Sequence, residues 1–102
     1  MIKHVVIFKY KPEATEDQIR HVTDEFRSLS NKVAGVLSFE HGANVSTEGL
    51  GLGFSHVYVL TFEDEKSRDA YMPHPEHRKF GEFLGKDGTV ESVFVVDYVP
   101  QD

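Results

Sequence analysis

The chain has 102 residues, 39% of them hydrophobic, with eight phenylalanines, no tryptophan, no cysteine and a formal charge of -6 at neutral pH. That length predicts one domain over residues 1–102 with a single modest core. The absence of cysteine excludes disulfides, thiolate metal sites and cysteine nucleophiles; the dispersed acidic charge offers nothing to nucleic acid, and no run approaches the roughly eighteen apolar residues of a membrane span.

The opening "MIKHVVIFKYKPE" lacks the pattern of a signal peptide, so a cytoplasmic location is the expectation. Within it, "IKHVVIFKY" is rich in β-branched and aromatic residues and is closed by Lys11-Pro12, which predicts a strand. His4, Val6, Phe8 and Tyr10 fall on one side of it, and Lys3, Val5, Ile7 and Lys9 on the other. Thr15 before Glu16, Asp17 and Gln18 predicts a helix N-cap with acidic residues at the positive end of the dipole. Ile19, Val22, Phe26, Leu29 and Val33 then form the buried stripe of a helix from Glu16 to about Lys32, ended by Gly35.

"VLSFEHGANV" predicts a second strand, "STEGLGLGF" a glycine-punctuated turn, and "SHVYVLTFE" a third strand. Helix is expected from Asp64 to Met72 and again from Pro75 to about Leu84, stopped by "GKDG", before a last strand in "TVESVFVVDYVP". The order βαββαβ predicts a ferredoxin-like α+β sandwich, a four-stranded antiparallel sheet with its helices on one face.

On that architecture His4, Val6, Phe8, His56, Tyr58, Leu60, Phe62, Val93, Val95 and Asp97 are expected on the face the helices leave open. So much apolar surface needs a cover. A second copy packed sheet against sheet would supply one and enclose a barrel-like interior, so a homodimer is the expected assembly, without nucleic-acid or membrane partners.

The stretch "YMPHPEHRKFGEF" carries the densest chemistry. Pro75 biases His74 away from helix and itself suits a first turn, so helix restarts there. His77, Phe80 and Leu84 then share a face, with Phe83 beside them and Tyr71 close enough to reach the same region. As a metal site the pair His74 and His77 is incomplete: the spacing is not HExxH, and His4 or His56 would have to add ligands from the sheet, so no metal is assigned. As a catalytic pair, a desolvated His77 could accept a proton from a carbon acid while the Tyr71 hydroxyl steadies an oxyanion. As plain structure, His77 is a satisfied helix histidine and Tyr71 a partly buried aromatic. Elsewhere "GLGLG" fails the GxGxxG pattern and is a flexible turn, and His21 and His41 face solvent. Asp97 among valines is a pocket partner, an inter-chain ion-pair member or a rim residue.

Taken together, "KHVVIFKYK", "SHVYVLTFE", "YMPHPEHRKFG" and "VVDYVP" resemble the stress-responsive A/B barrel (Dabb) family of dimeric α+β barrels over nearly the whole chain. The resemblance implies a homodimer with sheets back to back. One branch of that family consists of aldol-type polyketide cyclases that use no cofactor. Its catalytic histidine falls on His77, its supporting tyrosine on Tyr71 and its first-strand pocket histidine on His4. Carried over, His77 would take a proton α to a carbonyl of a linear poly-β-keto ligand while Tyr71 holds the oxygen. Phe26 stands where that branch has a tyrosine, and Phe39 and Tyr58 are bulky for cavity walls. The residues expected to meet a ligand are His4, Val6, Phe8, Phe26 and Phe39, together with His56, Tyr58, Leu60, Phe80 and Asp97. The expected function is uptake of a small, partly hydrophobic or polyketide-like ligand in a stress-related role. Cyclase or isomerase chemistry, and a structural protein with a filled interior, are the alternatives.

Overall fold

A computed structural model describes residues 1–102. Strand β1 (Ile2–Tyr10) leads into helix α1 (Glu16–Lys32), strands β2 (Val36–Ala43) and β3 (His56–Phe62), helices α2 (Glu65–Tyr71) and α3 (Pro75–Asp87), and strand β4 (Val90–Tyr98). The four strands form one antiparallel sheet in the order β2-β3-β1-β4. This is the ferredoxin-like arrangement, with the second helical segment split in two.

Local chemistry sets the boundaries. Thr15 closes a capping box, its hydroxyl accepting from the Gln18 backbone at 3.1 Å while the Gln18 side chain accepts from the Thr15 backbone at 2.9 Å. Helix α2 starts at the Asp64 carboxylate, which accepts from the Ser67 amide at 2.8 Å. Helix α3 starts with Pro75 at its first position, and His74 caps it by accepting from the Glu76 amide through Nδ1 at 3.0 Å. It runs past the expected stop at Gly85 and ends at Gly88, whose left-handed φ of 71° lets its amide reach the Leu84 carbonyl. Gly35 is needed for contact as well as conformation: a Cβ there would sit 2.4 Å from the Ser67 hydroxyl, so the turn after α1 can lie against α2 only without a side chain.

The assignment of sheet faces needs correction. None of the ten residues expected on the open face lies there: His4, Val6, Phe8, Tyr58, Leu60 and Phe62 are buried beneath the helices, in one core with Val22, Phe26, Leu29, Tyr71 and Phe80, and His56, Val93, Val95 and Asp97 pair onto the same helix-covered face. The physical reason is that β1 is apolar on both faces, so alternation defines two sets without saying which one the helices cover. The open face instead carries Val5 and Ile7, paired with Val59 and Val57 on β3 and with Val96 and Phe94 on β4. It is still an apolar face, with Phe94 and Val96 among the exposed large hydrophobic residues.

Candidate functional site

Between the helix-covered face and α2–α3 the sheet leaves a cavity of about 320 Å³. Strand β1 contributes His4, Val6 and Phe8, and β4 contributes Val93 and Val95. Phe26 closes it from α1, and Tyr71, Met72, His77, Phe80, Gly81 and Leu84 come from the broken helical segment. The break matters: Tyr71 ends α2, His77 lies in the first turn of α3, and the Pro73–His74 corner folds the two side chains together. Their ring centroids are 4.6 Å apart at 66°.

His77 is half-buried, and burial pushes its pKa below the ordinary histidine value. Nearby His4 adds to that depression, while a hydrogen bond with the Met72 backbone opposes it. The imidazole is accordingly neutral at neutral pH and able to accept a proton. Tyr71 is only 2% exposed, and burial raises its pKa, so the phenol stays protonated as a donor. Its hydroxyl makes no hydrogen bond to the protein, yet no fully buried side-chain oxygen or nitrogen goes without a partner. The hydroxyl therefore opens onto the cavity that the residue lines.

His4 is the third polar wall, 7% exposed, with its ring 5.6 Å from that of Tyr71. Its Nδ1 meets Asp97 Oδ1 at 2.6 Å, and Arg68 Nη1 donates to the other carboxylate oxygen at 2.9 Å. His4 Nδ1–H donates to the Asp97 carboxylate, Arg68 holds that carboxylate from its other oxygen, and the orientation of the His4 ring is fixed from behind. No lysine, arginine, aspartate or glutamate lines the cavity. Such a site can hydrogen-bond an uncharged carbonyl through a tyrosine donor, offer it a neutral histidine base, and solvate nothing charged.

Of the expected ligand-contacting residues, His4, Val6, Phe8, Phe26 and Phe80 line this cavity together with Tyr71 and His77. Phe39, His56, Tyr58, Leu60 and Asp97 do not. Tyr58 is fully inside the core, its hydroxyl 2.8 Å from those of both Tyr10 and Thr23, and Leu60 is buried beside it. Phe39 packs against Phe26 and Tyr58 from the outer strand. His56 faces a separate, open groove between α1 and the β2–β3 side, with Arg20, Arg27 and His41. Asp97 reaches the cavity only through His4. Five lining residues, Met72, Gly81, Leu84, Val93 and Val95, lie outside the expected set of ligand contacts and differ in legibility: helical spacing from His77 puts Gly81 and Leu84 on its face, strand alternation puts Val93 and Val95 on the face of His4, and nothing marks Met72.

Fold and site together define a ferredoxin-like α+β protein with a mostly apolar interior cavity under its helices. A family model described as the Stress responsive A/B Barrel Domain matches residues 2–100, and the chain belongs to that family, Dabb. The stress-response A/B barrel domain-containing protein HS1 of Arabidopsis thaliana is 31% identical over 97% of this chain and 89% of its own. Olivetolic acid cyclase of Cannabis sativa is 27% identical over 98% and 97% of the two chains. Among solved structures, that of the Arabidopsis thaliana protein At3g17210 superposes with a TM-score of 0.92 at 28% identity, covering 100% of this chain and 97% of the other. A dimeric ferredoxin-like protein of unknown function from Jannaschia sp. CCS1 matches at a TM-score of 0.79 and 25% identity, over 97% and 98% of the chains.

Proposed function

We propose that this chain acts as a cytoplasmic homodimer whose interior cavity takes up a small, uncharged, partly hydrophobic ligand, polyketide-like or otherwise carbonyl-bearing, in a stress-related role. The observation that carries this reading is the cavity itself: about 320 Å³, apolar except for His4, Tyr71 and His77, and without any lysine, arginine, aspartate or glutamate in its lining. Because Phe39 and Tyr58 lie outside it, their bulk does not fill it, which weighs against a purely structural interior. The dimer is supported by the apolar open face of the sheet and by the dimeric state of the Jannaschia structure. No helix is long and apolar enough to cross a membrane.

A catalytic reading is favoured by one specific observation: a desolvated, neutral His77 faces a protonated Tyr71 that has no protein partner. With a ketone bound, Tyr71 would donate to the carbonyl oxygen and His77 would remove the α-proton. The resulting enol or enolate carbon could then attack a second carbonyl of the same ligand and close a ring, as in a cofactor-independent cyclase, or be reprotonated, as in an isomerase. Olivetolic acid cyclase is a relative whose name matches that chemistry. The test is α-hydrogen exchange of an alkyl 1,3-diketone in deuterium oxide, followed by proton NMR, and ring closure on poly-β-ketone lactones. Wild type should accelerate exchange and His77→Ala should abolish the acceleration. Equal rates for the two proteins would leave binding as the function and remove the catalytic reading.

A further inference from the structure

A second concavity shares no residue with the cavity. It is an open groove of about 740 Å³ between α1 and the edge strand β2, and it reaches His56 at the start of β3. Its helical wall is one stripe of α1, Glu16, Arg20, Asp24 and Arg27, spaced at four, four and three residues; its strand wall presents His41 and His56.

Arg27 is fixed in this groove from three directions. Its Nη1 donates to Asp24 Oδ1 at 3.0 Å, its guanidinium lies 5.7 Å from the centre of the Phe39 ring, and its Nη2 donates to His41 Nε2 at 2.8 Å. A guanidinium offers no lone pair, so the last contact exists only while Nε2 accepts. A proton on Nε2 sets two donors and two positive charges against each other, and the pair then holds together only around an oxyanion that accepts from both. His56 is placed to join them. The Ser55 hydroxyl meets its Nδ1 at 2.8 Å, its Nε2 has no protein partner, and His41 is near enough that its charge, after burial, helps to lower the His56 pKa. Tyr10, edge-on to His56 at 4.9 Å, brings no charge, because burial raises its pKa.

The fixed charges of the groove cancel: Arg20 and Arg27 against Glu16 and Asp24. Asp17, which pairs with Arg20 at 3.0 Å, lies outside the lining with its side chain 91% exposed. Protonation of His41 and His56 therefore adds two positive charges that no acidic residue of the lining offsets. We infer that the α1–β2 groove is a proton-coupled binding site for a doubly charged oxyanion, a sulfate or phosphate group that bridges Arg27 and His41 and is met by His56. It is independent of the cavity and of the function proposed for it. Ion and proton favour each other, so affinity rises as pH falls and each bound ion takes up protons.

The experiment titrates ¹⁵N-labelled protein with sodium sulfate, whose charge is constant, at pH 6.0 and 8.0 with ionic strength held by chloride. Amide shifts give affinity and location, and a pH-stat on unbuffered protein counts the protons taken up. Wild type is expected to bind about tenfold or more tightly at pH 6.0, to shift the amides of Arg27, His41 and His56, and to take up about one to two protons per ion. His41→Gln should weaken binding by about tenfold at pH 6.0, leave it unchanged at pH 8.0 and reduce the proton count. Arg27→Gln should weaken it at both pH values. Both side chains are exposed, so both variants should fold, and Arg27→Lys, which keeps the charge, should retain more affinity than Arg27→Gln at either pH.

Phenyl phosphate binding more tightly than inorganic phosphate at pH 6.0 marks an ester as the source of the oxyanion and equal binding marks the free ion; either supports the site. No sulfate binding at pH 6.0, equal affinity at the two pH values, binding without proton uptake, or shifts confined to other parts of the chain overturns the inference. None of these results touches the cavity, which is tested by the diketone exchange assay.

Discussion

Replacing Tyr71 by phenylalanine separates the fold from the site. The ring packs against Phe62 at 5.2 Å, His4 at 5.6 Å and His77 at 4.6 Å between centroids, and all of that survives the substitution. What disappears is one hydroxyl that accepts and donates nothing within the protein. A desolvated hydroxyl without a partner costs about 1–3 kcal/mol on protein-derived scales, but this one keeps contact with the cavity space, so its removal should be worth at most about 1 kcal/mol of added stability. For a chain of this size that is a Tm rise of about 4 °C or less. In the exchange assay, loss of a hydrogen-bond donor to the developing oxyanion should slow the reaction by about 100-fold or more. Urea denaturation and the NMR exchange rate, measured on the same preparation, check both halves. Destabilisation by more than about 1 kcal/mol would show the hydroxyl to be a structural hydrogen-bonding group and refute the reasoning from its lack of a partner.

The pH dependence follows from His77 and His56, both of whose pKa values lie below the ordinary histidine range because of burial. A lowered folded pKa means that the unfolded chain binds more protons as pH falls through the unfolded value near 6.5, so stability is complete above that value and is lost progressively below it. Urea midpoints should fall from pH 7.5 to 5.5, and the slope should be shallower in His77→Gln; the exchange rate should rise with pH and reach its plateau below the usual histidine midpoint. Phe26→Ala removes a 2%-exposed ring stacked among Phe8, Tyr58 and Phe80, and should cost about 3–5 kcal/mol by denaturant titration. Phe94→Asp places a charge on the open sheet face, where the side chain is 53% exposed, and should yield a folded monomer by light scattering at low micromolar concentration; a persistent dimer would rule that face out as the contact.

The limits of what the sequence disclosed can be traced to particular residues. Helix α1 was legible to its ends because Thr15, Gln18 and the Ile19-to-Val33 stripe all say the same thing. The Pro75 restart and the His74 cap were legible because proline constrains its neighbour whatever the tertiary context. The choice of sheet face was not, since Val5 and Ile7 match Val6 and Phe8 in hydrophobicity and only the helices distinguish them. Tyr58 and Leu60 share the helix-covered face with Val6 and His4 but stand on β3, away from the β1–β4 side where the cavity lies, so they are core and not cavity wall. His4 and Asp97 were each singled out, but their pairing depends on strands at opposite ends of the chain being neighbours in register, which no local pattern encodes.

Strand β4 joins the two faces of the molecule. It lies at the sheet edge, hydrogen-bonded only to β1, and its successive residues Val93, Phe94, Val95 and Val96 are all between 42% and 53% exposed. Val93 and Val95 form part of the cavity mouth, while Phe94 and Val96 belong to the open face. This edge strand is held by its long ladder with β1, from Lys3–Tyr98 to Tyr10–Val90, while its side chains stay half exposed on both faces. Packing a second sheet over Phe94 and Val96 would immobilise the same backbone that carries Val93 and Val95. Ligand affinity and dimerisation should therefore be coupled, although no residue of the open face lines the cavity. If Phe94→Asp yields a monomer, it should bind the alkyl 1,3-diketone more weakly than the wild-type dimer. Equal affinities would mean that β1 alone fixes the strand and that the two faces work independently.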